Sequence, residues 1–127
     1  MSGNEIAAVV VDAAVKVDTT LGPGLLESVY LRVLAYELEQ RGLSVQTEVP
    51  VPIIYGPLRF DEGFRADLVV NGSVIVELKS VERLLPVHAK QLLTYLRMAD
   101  KRLGLLINFG EALIRDGIQR VVNRLAE

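Results

Sequence analysis

The stretch Val74-Ile75-Val76-Glu77-Leu78-Lys79 reads as a strand whose last residues break an apolar pattern. Successive side chains of a strand alternate faces, so Glu77 and Lys79 project together from one side while Val76 and Leu78 project from the other. A second carboxylate, Asp67, interrupts the preceding apolar strand Ala66 to Val70. The turn between the two strands sets how these charges meet. A bare two-residue turn at Asn71-Gly72 would pair Asp67 with Val76 and put Asp67 and Glu77 on opposite faces. A three-residue loop, 71–73, or one bulge pairs Asp67 directly with Glu77, roughly 5 Å apart at Cβ, and this second register is the expected one. Two carboxylates that close repel each other unless a cation sits between them. The competing reading is an ion pair of Lys79 with Glu77 or Asp67. Three charges in two otherwise apolar strands weigh against it, because ion pairs seldom stabilise a core better than apolar groups of similar volume.

Composition narrows the chemistry further. The 127 residues contain no cysteine and one histidine, which removes thiolate zinc sites, cysteine nucleophiles and most histidine-based metal sites. A metal would be held mainly by oxygen, so magnesium, manganese or calcium. Residues 1–78 carry 5 basic and 11 acidic side chains, whereas residues 79–127 carry 9 basic and 5 acidic. This asymmetry suits a negative site beside a positive docking surface, and equally a solvated face; a pI near 5.5 is low for a dedicated nucleic-acid binder. No apolar run approaches the roughly 18 residues of a membrane span, and no basic-then-apolar leader opens the chain, so a soluble cytoplasmic protein is expected.

The elements that position these residues follow from periodicity. Residues of about 4 to 19 and about 25 to 41 read as amphipathic helices, separated by Leu21-Gly22-Pro23-Gly24, with Gly42 as the expected left-handed cap. Ser44 to Tyr55 reads as a strand that Pro50 and Pro52 demote to an edge or a bulge, followed by a turn at Gly56-Pro57. Arg65 to Val70 and Ser73 to Lys79 form a hairpin, Pro86 opens a helix to about Asp100, and Leu103 to Asn108 is a buried strand. Residues 111–124 fit either a helix or a strand. The order α-α-β-β-β-α-β predicts an α/β fold, a central mixed β-sheet flanked by helices, with residues 1–127 as a single domain.

Asp67 followed by Glu77-Leu78-Lys79 after a hairpin resembles the Asp…Glu-x-Lys signature of the PD-(D/E)XK nuclease-like superfamily. Gly24-Leu25-Leu26-Glu27-Ser28-Val29-Tyr30 resembles the Gly-x-x-Glu-x-x-Tyr pattern of the GxxExxY protein family, and Gln91-Leu92-Leu93-Thr94-Tyr95 the Gln-x-x-x-Tyr helix motif of the superfamily's exonuclease branch. Ala66 stands where the signature's proline would be, a position that supplies no ligand. The resemblance spans about residues 5 to 123. It implies Asp67, Glu77 and the Leu78 carbonyl as ligands of Mg2+ or Mn2+, with Lys79 placing the attacking water or stabilising developing charge. It also implies Glu27 as an accessory metal-site residue, with Gln91 and Tyr95 lining the active site.

Each carried-over residue has a plainer reading beside it. Glu27 would serve equally as the third residue of a capping box reaching back to Gly24. Tyr95 would be an ordinary half-buried aromatic, and His88, on the face shared by Gln91 and Tyr95, a solvent-facing first-turn residue. Arg83, Lys90, Arg97, Lys101 and Arg102 read as solvated charges able to contact a nucleic-acid backbone. Tyr55, Phe60 and Phe64 read as strand packing rather than base-stacking platforms. Gly22-Pro23-Gly24 lacks the Lys-Ser/Thr of a phosphate loop. The expected function is therefore metal-dependent hydrolysis of phosphodiester bonds in DNA. The alternative is a catalytically inactive nucleic-acid-binding or protein-interaction module on the same fold. The expected partner is nucleic acid, with no membrane and a possible homodimer.

Overall fold

A computed structural model describes residues 1–124. Helix α1, Gly3–Leu21, starts at a capping box in which the Ser2 hydroxyl accepts from the Glu5 amide and the Glu5 carboxylate accepts from the Ser2 amide. It buries Ile6, Val10, Ala13 and Val17, the stripe that the spacing predicts. Helix α2, Glu27–Gln40, buries Tyr30, Leu34 and Leu38, and the chain leaves it through Gly42 at φ 85°. Glu27 is the first residue of α2, not the third, and Leu26 precedes it with no side-chain cap. The capping box expected between Glu27 and Gly24 is therefore not formed; Gly22 and Gly24, both at positive φ, hold the preceding residues out of the helix.

The sheet runs in the order β1 (Val45–Tyr55), β2 (Leu58–Val70), β3 (Val74–Lys79), β4 (Leu103–Asn108), β5 (Ile118–Val122). All neighbours are antiparallel except β3 and β4, which helix α3 (Pro86–Ala99) connects as a crossover. Both prolines of β1 fall on an edge strand, where a residue without an amide proton is tolerated; Pro50 pairs in register with Arg65, and the pairing with β2 shifts around Pro52, between Val51 and Ile53. Strand β2 begins at Leu58, well before the expected Arg65, because a two-residue turn at Gly56-Pro57 pairs Tyr55 with Leu58 and forms a long ribbon with β1. The ambiguous segment 111–124 becomes a short 3-10 turn, Ile114–Gly117, and then edge strand β5.

Two apolar layers sandwich the sheet. On one face Leu68, Val70, Val74, Val76, Leu78, Leu103, Leu105 and Ile107 pack with the buried stripes of α1 and α2. On the other, Val69, Ile75 and Leu106 pack beneath Leu92 and Leu96 of α3. Gly104 lets α3 come close: a Cβ there would lie 3.1 Å from the Leu92 side chain. Phe64 joins this second layer as expected of a packing residue, but Tyr55 and Phe60 stand exposed on the ribbon, contrary to the reading of all three aromatics as strand packing. Their part of the ribbon outruns β3 and has no layer to pack against. No helix among the described residues is long and apolar enough to cross a membrane.

Candidate active site

The β2–β3 loop is the three-residue 71–73, with Asn71 and Gly72 at positive φ and the Ser73 amide donating to the Val70 carbonyl at 3.0 Å. The ladder then runs Val70 to Val74, Val69 to Ile75 and Leu68 to Val76, so the next rung brings Asp67 opposite Glu77. At that rung side chains replace the backbone ladder. The Asp67 amide donates to Glu77 Oε1 at 3.1 Å, and the Leu78 amide donates to Asp67 Oδ2 at 2.8 Å.

The cause lies in a local break of alternation. Ala66 packs in the layer under α3 while Leu68 packs in the layer under α1 and α2, although two residues apart on a regular strand share a face. On the facing strand, Thr47 pairs with Leu68 and Val49 with Ala66, and Glu48 between them adopts φ 50°. Both strands thus turn over at this level, which directs the Asp67 carboxylate along the sheet into the gap beside β3. The Lys79 carbonyl accepts from Phe109 on the β4 side, so the polar groups of the preceding Leu78 face the β2 side, its amide meeting Asp67 and its carbonyl sharing that direction.

Glu77 is only 7% exposed. Burial, and then the Asp67 charge, push its carboxyl up to about 8, with Lys79 opposing weakly. Lys79 is half-buried, and among the described residues it forms no ion pair with either carboxylate. The ion-pair alternative is thus absent. The donors that gather here are oxygens, a set that fits a hard divalent cation.

From the α3 side, Tyr95 stacks on Phe64 with ring centroids 4.0 Å apart and planes at 3°. Burial raises its phenol, as do the charges of Glu77 and Asp67, while a hydrogen bond with the Gln91 side chain works the other way. Tyr95 therefore stands within electrostatic reach of the carboxylate pair, and the exposed Gln91 is tied to it only through the Tyr95 phenol. His88 does not join them as a free group; its Nδ1 accepts from the Leu85 amide at 3.0 Å and caps α3.

Glu27 is exposed and lines a groove of about 500 Å³ with Leu25, Leu26, Ser80, Val81 and Glu82, next to the end of β3. The Ser80 hydroxyl donates to the Leu25 carbonyl at 2.9 Å and ties the groove's walls together. Among the described residues no three His, Asp or Glu side chains converge as metal ligands, so Glu27 does not join the carboxylate pair. Tyr30, the last residue of the same motif, is buried. Its hydroxyl donates to the Gly22 carbonyl at 2.5 Å and accepts from the Leu25 amide at 3.1 Å, and its ring stacks on Phe109.

The sequence reading missed Asn108. Fully buried and level with Lys79 on the parallel strand, it accepts from the Val81 and Gly110 amides at 3.0 Å and donates to the Val81 carbonyl at 2.9 Å. It fixes the chain leaving Lys79, and Gly110 permits the approach, since a Cβ there would lie 2.1 Å from the Val81 carbonyl oxygen. The available signal was an amide ending an apolar run and followed two residues later by glycine. Of the five cations read as able to contact a nucleic-acid backbone, Lys101 donates to the Gly72 carbonyl and lines a groove with Arg102, while Arg97 and Arg102 line another with Arg124 and Asp100.

The model of the PD-(D/E)XK nuclease superfamily matches residues 4–121, nearly the whole chain. The chain belongs to this superfamily. Its five-stranded mixed sheet, flanked by helices, is the corresponding fold, and superfamily membership connects it with nuclease chemistry and divalent metals. No curated protein and no solved structure matches the chain at a significant level.

Proposed function

We propose that the chain is a metal-dependent nuclease, active as a single domain, that hydrolyses phosphodiester bonds in DNA. The observation that carries this reading is the Asp67–Glu77 pair, held across an opened hairpin with Glu77 buried and its carboxyl raised to about 8. Asp67, Glu77 and the Leu78 carbonyl would hold Mg2+ or Mn2+. When bound, such a cation acidifies coordinated water and offsets charge at the phosphorus. Lys79, on the Glu77 face and in no ion pair with either carboxylate among the described residues, presents its ammonium to the non-bridging oxygens where negative charge develops. Gln91 and Tyr95 offer an amide and a phenol to orient the phosphate, and Glu27 positions water from the adjoining groove.

One feature favours the alternative of a non-catalytic binding module: the groove beside Lys79 carries Glu27 and Glu82, which repel a phosphate backbone. Cleavage of single-stranded, duplex and branched DNA with Mg2+ or Mn2+ separates the readings. Wild type should cleave at least one of these, and Asp67→Ala should not. Equal background from both, with no cation binding by calorimetry, would favour the module.

A further inference from the structure

Three arginines from separate segments converge at the end of the sheet where β3 and β4 begin. Arg97 comes from the last turn of α3, Arg102 from the turn before β4, and Arg124 from just beyond β5. They line one groove of about 530 Å³ with Asp100 and Asn123. The backbone that presents two of them is fixed. The buried Asn123 donates its amide to the Arg102 carbonyl at 2.8 Å and its side chain to the Lys101 carbonyl at 3.0 Å, which clamps the end of β5 onto the turn before β4. Charge in the groove is not balanced. Among the described residues Arg97 and Arg124 form no ion pair, and Asp100, 3.2 Å from Arg102, is the one carboxylate in the lining. Three guanidinium groups against one carboxylate leave two positive charges in a chain whose net charge is −2. The side chains of the Arg102–Asp100 pair are 48% and 84% exposed, and so open a pair is worth little and yields to another anion. A cation in the last turn of α3 suits the helix carbonyls, which gives Arg97 a reason of its own, but Arg102 and Arg124 belong to no helix.

The chemistry of the lining identifies the ligand. The planar fork of a guanidinium matches two oxygens of a phosphate. The lining holds no aromatic anchor of the kind that dominates protein interfaces, so phosphate suits it better than an acidic protein. Position relates the groove to the carboxylates. Glu77 is level with Leu106, four residues beyond Arg102, and at about 3.3 Å per residue the separation along the strand is about 13 Å. Glu77 shares the sheet face of Ile75, which packs under α3, and α3 supplies a wall of the groove through Leu93 and Arg97. One strand of duplex DNA rises about 3.4 Å per nucleotide, so a backbone engaged at the carboxylates would meet the groove about four nucleotides away.

We infer that the groove of Arg97, Arg102 and Arg124 holds backbone phosphates of the DNA, apart from the carboxylate pair, and supplies the share of affinity that needs no divalent cation. This rests on nucleic acid as the partner but not on its cleavage. Fluorescence anisotropy with a duplex oligonucleotide in chelator, over a range of salt, tests it apart from catalysis. Each phosphate contact removed lowers the slope of log affinity against log salt by about 1. Arg97→Gln and Arg124→Gln should each show that drop. The double variant should show about twice it, with roughly tenfold weaker binding at low salt and the unfolding temperature of wild type. Arg32→Gln, which removes an equal charge from the exposed side of α2, should keep the wild-type slope. Asp100 sits in the left-handed region at φ 53°, which asparagine tolerates, so Asp100→Asn should keep the turn and bind DNA more tightly than wild type. Wild-type slopes in both groove variants, or an equal drop in Arg32→Gln, would overturn the inference, even where cleavage still depends on Asp67. So would wild-type slopes alongside arginine-dependent binding of polyglutamate. Reduced slopes in the groove variants of a chain that cleaves no DNA would uphold the groove and remove the nuclease reading alone.

Discussion

Burial and the neighbouring Asp67 charge raise the Glu77 carboxyl from 4.5 to about 8, and the consequence for stability has a definite sign. Between those values folded Glu77 keeps a proton that the unfolded chain has released. Its contribution to stability is therefore full below about 4.5, falls as pH rises toward 8, and is gone above that. Metal-free Glu77→Gln, which cannot ionise, should unfold roughly 5–10 °C above wild type at pH 8.5 and near wild type at pH 4.5, by scanning calorimetry. Added Mg2+ or Mn2+ should raise the wild-type midpoint at pH 8.5 and leave that of Glu77→Gln almost unmoved. Lys79 predicts the opposite separation: Lys79→Ala should lose at least about 100-fold in cleavage rate while binding the cation as wild type does in calorimetry. The charged pair was legible because charge inside apolar strands is costly and therefore conspicuous. Asn108 was not, because a buried amide ending a strand announces nothing until the Val81 backbone is seen to fold onto it.

At the scale of elements, the loops that frame the site depend on single buried groups. Asn108→Ala leaves two amides without acceptors and should cost about 2–4 kcal/mol by denaturant unfolding. Tyr30→Phe removes the hydroxyl that both donates to Gly22 and accepts from Leu25; a loss of about 1–3 kcal/mol is expected, with faster hydrogen exchange at Leu25. The helices were readable because their apolar stripes repeat at helical spacing, and the prolines of β1 announced an edge. The outer half of β2 was not, since Arg59, Asp61, Glu62 and Gly63 interrupt any alternation, and only the turn at Gly56-Pro57 brings that segment against β1. Segment 111–124 stayed ambiguous for a related reason: edge strand β5 buries too few side chains for either period to stand out.

For the molecule as a whole, the sandwich places an acidic site in a chain of net charge −2. Nucleic acid should therefore bind weakly without divalent cation. Fluorescence anisotropy with a duplex oligonucleotide should show affinity at least about tenfold lower in chelator than in Mg2+, and a steady fall with added salt in both. Element order as far as β4 was accessible from pattern alone, and the fifth strand of the sheet was not. The turnover of both strands at Glu48 and Asp67, which aims one carboxylate along the sheet, was not, because no local residue preference signals it.

The two carboxylates lie ten residues apart on one hairpin, whereas Tyr95 reaches them only after the crossover through α3 has closed. Short-range pairing forms on a faster timescale than a parallel junction, so the anionic half of the centre would assemble ahead of its aromatic wall. Refolding in alkaline, ion-free solution would then meet its electrostatic obstacle at the outset, while the chain is still open enough to turn back.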